Sequence, residues 1–300
     1  MAELNWKGIY PAVLTPFKEN GEIDFEMFAK NTEAQISAGV HGIIIAGTLG
    51  DAAVLDNEEK FELLSYAKKI VANRIPIILN IAENTTKNAV NFALNAKELG
   101  ADGLMLLPPM RYKADDREVV EYFRAVASAT DLPILIYNNP VDYSTNVTLD
   151  MFEELQSSST ILAVKESTRD LSNVTKMKNK FGDRYKILGG VDTISLETIL
   201  LGADGLVAGL VDAFPRETIA MYNYALKGEL EKALEIYRWF MPLLELDIHP
   251  KLIQYIKLAA TAEGISTPHV RAPRLPLVNE EADRINKIIA DGIANRPVLN

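Results

Sequence analysis

The chain has 300 residues, 48% of them hydrophobic, enough for one large α/β domain or two small ones with a full core. A formal charge of −10 argues against nucleic acid or an anionic membrane surface as partner, and no apolar run reaches the ~18 residues of a spanning helix. With no cysteine there is no disulfide, thiolate metal site or cysteine nucleophile, and His41, His249 and His269 stand without ligand spacing, so no metal is expected.

Residues 1–6 carry no basic stretch followed by an apolar core, so no signal peptide is expected, and the expected compartment is the cytoplasm. Residues 8–17 read as a first strand. A helix over 24–38 follows, with Asp24 as N-cap and Gly39 as stop. Strands are predicted at 42–47, 75–81, 102–107, 133–137, 161–167, 186–188 and 205–208. Helices between and after them are predicted at 57–72, 85–99, 117–129, 149–157, 173–181, 195–201 and 216–227. Apolar strands alternating with helices imply a parallel sheet, and eight of them imply a closed (β/α)8 TIM barrel over residues 1–228. The run Gly100-Ala101-Asp102-Gly103 recurs as Gly202-Ala203-Asp204-Gly205, with Gly39-Val40-His41-Gly42 a looser copy. Each sits where a helix ends and a strand begins, and its first glycine suits a left-handed cap. Residues 229–300 show no strand pattern and read as three amphipathic helices, 230–246, 251–262 and 280–294, forming a C-terminal extension packed on the barrel. The link over 267–276 is expected to be extended.

Active sites of such barrels lie at the C-terminal ends of the strands. The polar residues there are Thr15; the loop Gly47-Thr48-Leu49-Gly50-Asp51; Asn80 and Glu83; Arg111 and Tyr112; Tyr137, Asn138 and Asn139; Lys165, Glu166 and Ser167; Gly189, Gly190 and Asp192; and the loop 209–214. Lys165 ends an apolar strand, where desolvation lowers an ammonium pKa and leaves a neutral amine able to attack a carbonyl. The bland alternative is a lysine that reaches solvent or pairs with Glu166. Tyr137, on the preceding strand, could relay the protons that imine chemistry needs, or simply pack under a loop. The Gly47–Gly50 loop could offer backbone N–H groups and the Thr48 hydroxyl to a carboxylate, or be an ordinary glycine-rich turn. Gly189-Gly190 permits close approach by a ligand, or a tight turn. A phosphate site after the seventh and eighth strands has no basic, glycine-rich helix start to support it.

Pro11-Ala12-Val13-Leu14-Thr15-Pro16-Phe17, Gly47-Thr48-Leu49-Gly50-Asp51, Tyr137-Asn138-Asn139-Pro140 and Val164-Lys165-Glu166-Ser167, in this order and spacing, resemble the dihydrodipicolinate synthase/N-acetylneuraminate lyase family over nearly the whole chain. The resemblance implies a barrel with a helical extension, class I aldolase-type chemistry on 2-oxo acids, no cofactor beyond a covalent imine with Lys165, and a homotetramer. It makes Lys165 the Schiff-base lysine and Tyr137 the proton relay. Substrate contacts are expected at Gly47, Thr48, Leu49, Asn138, Gly189 and Val207, with Tyr112, Asp142 and Tyr143 as further candidates.

Departures from the family pattern are informative. Leu49 replaces the second threonine of Gly-Thr-Thr-Gly-Glu and Asp51 replaces the glutamate. The synthases carry a Pro-Tyr-Tyr run whose second tyrosine reaches a neighbouring subunit, whereas here Pro109-Met110-Arg111-Tyr112 displaces the tyrosine. They also follow Tyr-Asn-x-Pro with an arginine that holds a semialdehyde carboxylate, whereas here Val141-Asp142-Tyr143-Ser144 follows. The runs Asp212-Ala213-Phe214-Pro215-Arg216-Glu217, Trp239-Phe240-Met241-Pro242-Leu243-Leu244 and Ala272-Pro273-Arg274-Leu275-Pro276 are similar to Δ1-pyrroline-4-hydroxy-2-carboxylate deaminases. That resemblance implies conversion of the cyclic imine to 2-oxoglutarate semialdehyde with release of ammonia. A 2-keto-3-deoxy sugar acid dehydratase or aldolase, 4-hydroxy-tetrahydrodipicolinate synthase, and a non-enzymatic small-molecule sensor are the alternatives.

Overall fold

The computed structural model describes residues 4–109 and 112–299. Arg111 and Met110, part of the run that replaces Pro-Tyr-Tyr, lie outside the described residues. Eight parallel strands form one sheet: β1 (Gly8–Pro11), β2 (Ile43–Ile45), β3 (Ile77–Ile81), β4 (Gly103–Leu106), β5 (Ile134–Asn138), β6 (Ile161–Glu166), β7 (Lys186–Gly189) and β8 (Gly205–Ala208). Their order is β1-β8-β7-β6-β5-β4-β3-β2, and the barrel closes just beyond β1, where Ala12 bridges Ile44 and the Val13 N–H donates to the Ile44 carbonyl at 2.9 Å. The strands are runs of Ile, Leu, Val and Ala buried on both faces, the composition of a parallel sheet sheathed by helices.

Those helices are α1 (Phe25–Ala38), α2 (Asn57–Val71), α3 (Thr86–Glu98), α4 (Asp116–Ala129), α5 (Pro140–Tyr143), α6 (Leu149–Glu154), α7 (Ser172–Phe181), α8 (Ser195–Leu200) and α9 (Pro215–Leu226). Local chemistry sets their ends. Asp24 caps α1 by accepting from the Met27 N–H, and Asp56 and Asp115 form reciprocal capping boxes with Glu59 and Glu118. Gly39, Gly100 and Gly202 all adopt positive φ where their helices end, as the repeated motif requires. The second glycine of each motif serves another purpose: a Cβ at Gly205 would lie 2.0 Å from the Gly8 carbonyl oxygen, so β1 and β8 can pair only without it.

Beyond the barrel lie α10 (Leu230–Leu244), α11 (Leu252–Ala262) and α12 (Asn279–Ala294). Ile236, Tyr237, Phe240, Ile253, Ile256, Ile285 and Ile289 belong to the same hydrophobic cluster as the barrel strands. The link between α11 and α12, expected to be extended throughout, turns at residues 272–274. The short helix α5, also unforeseen, begins at Pro140 under the cap of Asn139, whose side chain accepts from the Asp142 N–H. No described helix is long and apolar enough to cross a membrane.

Candidate active site

Tyr137 and Lys165 are register partners on β5 and β6, so their side chains leave the sheet side by side. The Lys165 ammonium lies 4.1 Å from the centre of the Tyr137 ring, and Lys165 is only 8% exposed. Burial lowers its pKa, opposed by the nearby carboxyls of Asp247, Asp192 and Asp142. Pairing with Glu166 does not occur. Successive strand residues point to opposite faces, and Glu166 instead accepts from Asn173 Nδ2 at 2.7 Å and the Thr168 N–H at 2.8 Å. The stem of Lys165 lies against bare backbone: a Cβ at Gly190 would sit 2.6 Å from Lys165 Cε and 2.7 Å from its Cγ. Close approach at the Gly189-Gly190 pair is thus by the lysine itself. Gly189 faces away, towards Thr198 and Leu206.

Tyr137 is buried, and its phenol is pushed well above its ordinary value by desolvation, opposed by hydrogen bonding to Asn139. Asn139 Nδ2 donates to the Tyr137 hydroxyl at 3.0 Å and to Asp142 Oδ2 at 2.7 Å. Burial outweighs that donor, so Tyr137 is held as the phenol, which Asn139 fixes in place to orient a water or pass on a proton.

The loop between β2 and α2 brings Thr48 and Leu49 to the same cavity. Several polar strand-end residues hold that loop rather than meet a substrate. Thr15 Oγ1 donates to the Gly50 carbonyl at 2.7 Å, and Asn80 Nδ2 donates to the Ala46 carbonyl at 2.9 Å. Asp51, fully buried, pairs with the equally buried Lys257 of α11 at 2.7 Å. Lys257 also donates to the His269 carbonyl at 2.9 Å and lies 4.2 Å from the Phe17 ring centre. Ala46 and Asp51, which flank the loop, both have positive φ, a strained backbone that these contacts over-determine. The Thr48 hydroxyl is hydrogen-bonded to the Tyr143 hydroxyl, and the Tyr143 ring meets the Tyr137 ring edge-on at 5.6 Å.

A cavity of about 60 Å³ joins these elements, room for a small acid and not for a nucleotide or polymer. Of the predicted residues, Lys165, Tyr137, Thr48, Leu49, Val207 and Asp142 line it. Gly190 takes the place expected of Gly189. Asn138 and Gly47 lie outside the lining. Asn138 is buried behind it, exchanging hydrogen bonds with the Val147 backbone at 2.9 and 3.2 Å because its side chain alternates away from that of Tyr137. Tyr112 is 56% exposed and away from the cavity. Tyr143 reaches the site through Thr48 without lining the cavity. Two charged lining residues escaped sequence reasoning. Arg169 follows β6 in a left-handed conformation (φ 64°), and a basic residue in a strand-end loop was a usable signal. Asp247 follows α10, in a segment whose periodicity says nothing of the barrel mouth.

A model of the dihydrodipicolinate synthetase family matches residues 5–291. The chain belongs to that family. Its similarity to named members is broad. It is 31% identical to the 4-hydroxy-tetrahydrodipicolinate synthase of Aquifex aeolicus, over 95% of this chain and 97% of the relative. It is 28% identical to that of Methanothrix thermoacetophila, over 95% and 96%. The dihydrodipicolinate synthase structure from Bacillus anthracis superposes with a TM-score of 0.93 at 27% identity, covering 99% of this chain and 100% of that one. The (β/α)8 barrel and the family's class I aldolase-type character follow from this membership.

Proposed function

We propose that Lys165 forms an imine with C2 of a small 2-oxo acid or its cyclic imine, and that the reaction is the deamination of Δ1-pyrroline-4-hydroxy-2-carboxylate to 2-oxoglutarate semialdehyde. Lys165 opens the ring by transimination, freeing an amine at C5. The protonated imine acidifies C3, and Tyr137, or a water it orients, removes that proton. The C4 hydroxyl leaves as water, the conjugated product tautomerises to a C5 imine, and hydrolysis at C5 and C2 releases ammonia and the semialdehyde.

The observation that carries this reading is the acidity of the cavity wall. Where the synthases place an arginine after Tyr-Asn-x-Pro, this chain places Asp142, and its carboxyl and that of Asp247 both line the cavity with Lys165. With no arginine at that position a second substrate carboxylate loses its partner there, and the carboxyl groups suit a substrate that carries an amine and a hydroxyl at its far end. The synthase reading has its own support in the relatives' names and in Arg169, whose guanidinium makes no ion pair among the described residues and could take a distal carboxylate at the rim.

Borohydride trapping read by intact mass, beside an ammonia assay, separates the two. The deaminase reading expects a Lys165 adduct that vanishes in Lys165→Ala, and ammonia release from the pyrroline acid. A pyruvate adduct without ammonia, together with consumption of a carboxylate-bearing semialdehyde, replaces it with the synthase. No adduct with either compound removes the imine mechanism and leaves a sensor.

A further inference from the structure

Loss of the C4 hydroxyl needs a proton donor, because hydroxide is a poor leaving group. We propose that Asp247 is that donor, the general acid that protonates the C4 oxygen of the Lys165-bound substrate as the C–O bond breaks; the assignment rests on the deaminase reading.

Placement supports it first. Asp247 is delivered by the turn after α10, and with Ile248 and Leu252 it closes the cavity from the side of the helical extension. Its carboxyl is seated on bare backbone at the end of β8: a Cβ at Gly209 would lie 2.4 Å from Asp247 Oδ1. The charged and titratable groups facing it are Lys165 from β6, Asp192 from the loop after β7, Asp142 from α5 and Tyr137 from β5. Asp192 is held by the backbone N–H groups of Gly209 (3.1 Å) and Leu210 (2.7 Å), so a second carboxylate is fixed close by. Desolvation, then the neighbouring Asp192, push the Asp247 carboxyl well above the ordinary carboxylate range, against the pull of Lys165. Seated on the Gly209 backbone and facing Lys165, Asp247 is thus a protonated carboxyl beside the reacting amine, the state a general acid needs.

The step balances. In the enamine at Lys165, the nitrogen lone pair re-forms the C2 iminium, the C2=C3 pair becomes C3=C4, and the C4–O pair departs on oxygen. Asp247 supplies the proton, water leaves, and the carboxylate left behind regains a proton from water. No oxidant or reductant is required.

The test uses the whole chain, wild type and Asp247→Asn, with three readouts: borohydride trapping of pyruvate, ammonia release from the 4-hydroxy pyrroline acid, and ammonia release from its 4-fluoro analogue, whose fluoride leaves without a full proton transfer. The expected result for Asp247→Asn is a pyruvate adduct still trapped on Lys165, a loss of ~10²-fold or more on the hydroxy substrate, and a loss of less than ~10-fold on the fluoro substrate. Asp247→Glu is expected to restore part of the hydroxy activity. Ammonia release in Asp247→Asn within about 3-fold of wild type overturns the assignment and leaves the deaminase reading intact. Equal losses on both substrates, or loss of trapping, also overturn it and make Asp247 a positioning residue. Wild type that releases no ammonia from either substrate overturns the deaminase reading and this one with it.

Discussion

Gly190→Ala tests how Lys165 is aimed. The new methyl would stand 2.6 Å from Lys165 Cε, 2.7 Å from its Cγ and 2.2 Å from Ser167 Oγ, where ordinary contact begins at 3.4 Å. The lysine stem must therefore move by about 0.8 Å, the difference between 3.4 and 2.6 Å. Ser167 Oγ must swing from the Gly190 carbonyl it now meets at 3.0 Å. Misplacing a reacting group by ~1 Å costs on the order of 10²-fold in rate, about 2.7 kcal/mol of barrier. Overpacking one methyl costs the fold itself only about 1–3 kcal/mol, so the protein remains folded. The assay is the rate of borohydride-trapped pyruvate adduct beside the thermal midpoint, with Ser167→Ala as the control for loss of the hydroxyl contact that the new methyl displaces. We expect trapping to fall ~10²-fold in Gly190→Ala and to stay within a few-fold of wild type in Ser167→Ala. Trapping at the wild-type rate in a folded Gly190→Ala protein would show that the Gly190 backbone does not hold the lysine.

Four further outcomes are expected. Lys257→Met leaves the buried Asp51 carboxylate with only the more distant Arg274 at 3.7 Å and costs about 3 kcal/mol, lowering the thermal midpoint by roughly 5 °C, with part regained in the Asp51→Asn/Lys257→Met double variant; a midpoint within a degree or two of wild type refutes the pairing. Asp212, fully buried, accepts from the Leu14 N–H at 3.2 Å through Oδ1, while its Oδ2 has no hydrogen-bond partner among the described residues, and desolvation raises its carboxyl well above the ordinary value. Its raised folded pKa contributes stability that is fully present below the unfolded value of about 3.9 and is lost as pH rises through the folded value. Asp212→Asn is thus expected to match or exceed wild type in thermal midpoint at pH 8, by a margin that shrinks on acidification; an Asn variant less stable at every pH contradicts this. Tyr143→Phe deprives the Thr48 hydroxyl of its partner, a loss of about 1 kcal/mol, so KM for the 2-oxo acid should rise ~5-fold with kcat held, and a fall in kcat at constant KM would assign Tyr143 to proton transfer instead. Because burial lowers the Lys165 pKa, adduct formation should rise with pH and level off below the ordinary lysine value of about 10.4, a plateau that a solvent-exposed amine would not show.

The sequence alone determined the alternation of strand and helix, because burial on both faces of a parallel strand writes a continuous apolar run, and the caps Asp24, Gly39, Gly100 and Gly202 are set by contacts within a few residues. It also determined that Lys165 and Tyr137 stand at the mouth, since the barrel rule needs only the strand ends. Which strand-end residues face the cavity was decided in three dimensions. Asn138 and Gly189 lie one position from Tyr137 and Gly190, and the two-residue period of a strand turns each of them away. Thr15, Asn80 and Asp51 looked equally placed for substrate, yet each is taken up by the backbone or by a distant lysine in holding the Thr48 loop. Asp247 and Lys257 lie more than eighty residues beyond Lys165, one in the turn after α10 and one in α11, a segment whose periodicity records only that one face of each helix is buried. They reach the barrel mouth because the extension packs on the same core as the strands, and long-range packing of that kind leaves no local trace in the chain.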